Sequence, residues 1–135
     1  MLPLPEVNLI AILVGAVLTI IFGSLWYSPL MFGKLWMEET GMREEDKKGA
    51  VNAYIGGLIN SFITTFVLAV IIRWIGVDNV RDGAWIGFWV WLGFVATTQF
   101  AGVLWERKSI KVFGICASFS FITLTLLGAL LAWWR

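Results

Sequence analysis

Apolar residues in this chain gather into four long runs separated by short polar stretches. The runs cover about residues 8–25, 51–75, 84–104 and 112–134. Crossing roughly 30 Å of hydrocarbon takes about 20 helical residues, and each run is near that length. Only one ionised side chain, Arg73, falls inside a run, and it lies close enough to an end to snorkel. The pattern predicts an all-α membrane protein: four transmembrane helices in one bundle, with residues 1–135 forming a single transmembrane domain. Small residues recur at every fourth position, as in Ala11, Gly15, Thr19 and Gly23, or Ala53, Gly57, Ser61, Thr65 and Ala69. The third run carries Gly93, Thr97 and Ala101, with Thr98 and Gly102 alongside. Such stripes let helix backbones approach closely, so Gly15, Gly57, Ser61, Gly93 and Gly102 are expected at helix contacts.

The connection between the first two runs is the longest, and residues 26–41 read as an interfacial elbow. Proline removes a backbone donor and biases the preceding residue away from the helical region, so Pro29 should end the first helix near Tyr27. Trp26, Tyr27 and Trp36 are amphipathic rings suited to headgroup depth. Phe32, Leu35 and Trp36 then share one face of a short helix along the membrane surface, with Lys34, Glu38 and Glu39 turned away. Gly41 is the expected stop of that helix, and Glu44 and Lys48 are spaced for a helical ion pair.

The elbow carries Gly23-x-x-Trp26-Tyr27-x-Pro29-x-x-Phe32-Gly33-Lys34-x-Trp36, closed by Gly41. This stretch resembles the signature of a bacterial four-helix membrane family known as domain of unknown function 1761. The layout of four spans with a long first connection is also similar. The resemblance implies fold and location, and no catalytic residues, because the family has no assigned activity.

Composition agrees with a membrane location: 59% of the 135 residues are hydrophobic and 14% charged, against about 25% charged in soluble domains. The start of the chain lacks a basic n-region, and the first run ends in bulky residues, so an uncleaved span is expected. Lys34, Arg43, Lys47, Lys48, Arg107, Lys108 and Lys111 flank one side of the runs, and Arg73, Arg81 and Arg135 the other. The positive-inside rule then puts both termini outside and the loops 26–50 and 105–111 in the cytoplasm, in a bacterial inner membrane. A net charge of +1 makes no electrostatic case for nucleic acid. With no histidine and one cysteine, Cys116, no metal or other cofactor is expected.

Polar groups deep in the spans are the remaining candidates for function, since each needs a partner in hydrocarbon. At about 1.5 Å per residue, Asn60 lies roughly 14 Å from its helix end, and Thr19, Gln99 and Ser120 roughly 8–12 Å from theirs. Together with Thr64 and Thr98, these residues predict a shared polar layer. Hydroxyls without a neighbouring His, Lys, Asp or Glu make an enzyme unexpected. No intramembrane carboxylate is present for proton-coupled export. The expected role is a structural or accessory unit, with the lipid bilayer, itself or other membrane subunits as partners. The alternative is an oligomeric passive channel or facilitator for a small solute, lined by the polar layer.

Overall fold

A computed structural model of the chain describes residues 2–42 and 50–134, so the expected Glu44–Lys48 pair lies outside the described residues. Helix α1 spans Leu9–Trp26, and the Asn8 side chain accepts from the Ile10 and Ala11 amides at its start. Helix α2 is the short Gly33–Thr40, stopped by Gly41 in the left-handed region at φ 73°. Helix α3 is Ala50–Ile75, followed by Gly76 at φ 84°. Helix α4 runs Val80–Trp105 and helix α5 Ile110–Trp133. The four long helices have the length and apolar composition to cross a membrane. Helix α4 begins four residues before the expected 84, because Asn79 accepts the Asp82 amide and Asp82 sits in the first turn. A charged first turn hides such a start from a reading based on apolar runs.

Helix α1 lies along α3, and α4 along α5; α5 also touches α1, α2 and α3, whereas α3 and α4 barely touch. The core lies toward the end far from the elbow. There Ile12, Leu68, Ile72, Leu124, Leu127 and Leu131 interlock around Ala11, Ala69 and Ala132. Gly15 sits at the junction of three helices, where a Cβ would meet Leu127 Cδ2 at 2.9 Å and Thr65 Cγ2 at 3.0 Å.

The closest helix crossing involves glycines other than those expected. A Cβ on Gly83 would collide with the Gly128 carbonyl, and one on Gly87 with the Leu124 carbonyl. Gly83, Gly87 and Gly128 therefore let α4 and α5 meet backbone to backbone. By contrast, Gly93 is exposed with nothing within 4 Å of an added Cβ, and Gly57 has only Ile20 Cδ1 at 3.4 Å. Gly102 is buried, yet it faces the Lys108 side chain and no other helix. In α4 a π-helical turn spans Trp91–Ala96. Gly93, six residues after Gly87, falls about 240° away from it around the helix, and the extra residue rotates the faces that follow. Ser61, also expected at a contact, is buried at 8% exposure.

Candidate functional site

At the elbow end the four long helices part around a cavity of about 340 Å³. Thr19 of α1, Asn60, Ser61 and Thr64 of α3, Gln99 of α4, and Phe119, Ser120 and Thr123 of α5 border it. The structure thus brings five members of the sequence-predicted polar layer to one chamber: Thr19, Asn60, Thr64, Gln99 and Ser120. Thr98, the sixth, does not join them. It lies outside the lining, and its hydroxyl donates to the Phe94 carbonyl at 2.8 Å. Ser61 borders the chamber as well as being packed. Thr123 was missed, although it follows Ser120 by three residues and so shares its helical face.

Most of the lining bonds stay within a helix. The Thr19 hydroxyl donates to the Gly15 carbonyl at 2.8 Å and Thr64 to the Asn60 carbonyl at 3.0 Å. Ser120 donates to the Cys116 carbonyl at 2.9 Å. Across helices, the Gln99 amide nitrogen donates to Ser120 Oγ at 3.2 Å. Gln99 Oε1 and Thr123 Oγ1 are buried with no hydrogen-bond partner among the described residues. Every lining residue is uncharged, so among the described residues neither a carboxylate nor a cation borders the chamber.

The elbow packs behind one wall of this chamber, the Phe119 ring. Gly23 leaves room for that ring, which a Cβ would approach to 3.3 Å. Phe119 stacks on Phe22 at 5.3 Å and meets Tyr27 edge-on at 5.6 Å. Trp26 is 8% exposed, packs on Phe32 at 4.6 Å, and donates from Nε1 to the Ile115 carbonyl at 3.1 Å. Trp26 was expected at headgroup depth; it points inward because its N–H finds a carbonyl on α5. Tyr27 packs edge-on against Trp36 and donates to Cys116 Sγ at 3.4 Å. Burial first, and then the Cys116 contact, push its phenol above the ordinary range, so it stays an O–H donor.

Pro29 occupies the exposed turn itself, in which the Phe32 amide bonds the Trp26 carbonyl and the Gly33 amide the Ser28 carbonyl. A side chain at Gly33 would collide with the Tyr27 carbonyl, which fixes glycine there. Lys34 is exposed as expected. Glu39, expected to turn away, instead accepts from the Ser109 hydroxyl at 2.8 Å and pairs with Lys111 at 3.6 Å. These contacts tie α2 to the start of α5, so the elbow folds back on the bundle as a clamp.

A family model described as a protein of unknown function, DUF1761, matches residues 10–132. The chain belongs to this family. The match takes in the elbow, all of the chamber lining and the Gly83–Gly87–Gly128 crossing, so each is a feature of the DUF1761 region of the chain. No curated protein and no solved structure matches the chain.

Proposed function

We propose that this DUF1761 protein is a non-enzymatic integral membrane protein that lets a small uncharged solute pass by way of the polar chamber. One observation carries the proposal: hydroxyl and amide groups from all four long helices border one void, and of these only Gln99 and Ser120 pair helix to helix among the described residues. Polar groups that served only to fix register would be used up against one another. All of the chamber's lining comes from one chain. Catalysis would need a base beside a hydroxyl, and the lining offers none.

The accessory role has one observation in its favour. Residues 51–60 of α3 are exposed except for half-buried Gly57, and Asn52 and Asn60 are among them. Copies of the chain or other membrane subunits against this stretch would cover its amides and close the side of the chamber between α3 and α4. The Lys and Arg distribution supports termini outside and the elbow in the cytoplasm of a bacterial inner membrane.

The test is permeation. Purified protein in liposomes, mixed rapidly with a panel of small uncharged solutes, is expected to raise permeability to at least one of them above protein-free vesicles. Asn60→Leu should lower that gain several-fold. Permeability equal to that of protein-free vesicles for every solute would overturn the proposal.

A further inference from the structure

Accepting the chamber as a solute site, we infer that it is built for uncharged solutes rich in N–H groups, such as urea and small primary amides, over polyols of the same size. The inference rests on the reading above and on a count of protons. The hydroxyl protons of Thr19, Thr64 and Ser120 are committed to carbonyls of their own helices. What those groups have left is oxygen lone pairs, since a hydroxyl carries one donor and two acceptor sites. Because the Ser120 proton is spent on Cys116, only an N–H can meet Ser120 Oγ, and this fixes the Gln99 amide with its nitrogen toward Ser120. Gln99 Oε1 is then a buried acceptor without a donor, and the torsion that carries it is soft.

Asn60, Ser61, Thr123 and the second Gln99 N–H add donors, but with two lone pairs on each oxygen the acceptor sites still outnumber them around the void. A ligand that satisfies them must bring more N–H or O–H protons than lone pairs. Urea brings four N–H donors against one carbonyl oxygen, whereas each hydroxyl of a polyol brings one donor against two lone pairs. Cations would also seek oxygens, but no lining residue carries a compensating negative charge, and an uncompensated ion in a low-dielectric site is costly. Anions are equally uncompensated, since no lining residue carries a positive charge. A buried acceptor left unpaired rejects ligands that lack the matching donor, which makes the surplus a selectivity device.

The experiment compares labelled urea and glycerol permeation into liposomes carrying the full chain. Urea gain over protein-free vesicles is expected to exceed glycerol gain about tenfold. Thr123→Val removes an unpartnered hydroxyl while keeping side-chain shape, so it should retain the fold and lower the urea gain several-fold. Gln99→Leu should lower it further, with helical content checked by circular dichroism. Glycerol gain equal to or above urea gain would overturn this inference and leave the chamber as a solute site. No gain for either solute, or for any other in the panel, would remove both.

Discussion

Trp26 illustrates how a single residue type serves two physical roles. Tryptophan suits a membrane interface because one edge is polar and the rest apolar, and the same property suits a buried ring that can find a carbonyl. Position along the chain places Trp26 at a helix end, which fits either role; only the Ile115 carbonyl within 3.1 Å decides for the inward one. Trp26→Phe should keep the stacking on Phe32 and lose the N–H bond, lowering stability by about 1 kcal/mol. Thermal unfolding in detergent would read this as a small drop in melting temperature. An unchanged value would return the ring to the headgroup layer. Trp105 and Trp133, at 85% and 67% exposure, keep outward positions that fit an interface.

Among the elements, α4 separates what the sequence makes legible from what it does not. The four apolar runs are readable because an ionised group inside hydrocarbon is so unfavourable that its absence marks each span. The stops at Tyr27 and Gly41 are readable because proline and glycine act through local backbone geometry. The π-helical turn has no such local cause within Trp91-Leu-Gly-Phe-Val-Ala, and it shifts the faces of α4 that follow it. Gly83 lies before the expected start at 84, among charged residues, so Gly83-x-x-x-Gly87 escapes a search for stripes within apolar runs. Gly87→Ala should cost about 1–3 kcal/mol, because its Cβ meets fixed backbone. Gly93→Ala should leave the melting temperature unchanged or raise it, since its side is open and alanine favours a helix. Equal losses from both would mean that the two helices meet over a different face.

Across the whole molecule, packing and polarity are divided between two ends. Leucines, isoleucines and alanines fill the end away from the elbow, while toward the other end hydroxyls and amides border a void whose floor is Leu124 and Leu127 of that core. The polar layer was legible as a set, because each amide or hydroxyl at depth announces a need for a partner. That its members border a cavity was not, since bonding distance and void share the same residue spacing. Thr98 shows the limit: one residue from Gln99, it points outward and bonds its own helix.

The most direct test of this division is the water accessibility of two threonines. In a Cys116→Ala background, Thr64→Cys and Thr98→Cys would each be treated with a small water-soluble thiol reagent in intact membranes. Thr98 is nearer its helix end, so depth alone would make it the faster of the two. A chamber reached by water predicts the reverse, with Thr64→Cys modified at least tenfold faster. Faster modification at Thr98→Cys, or no reaction at Thr64→Cys, would contradict the chamber.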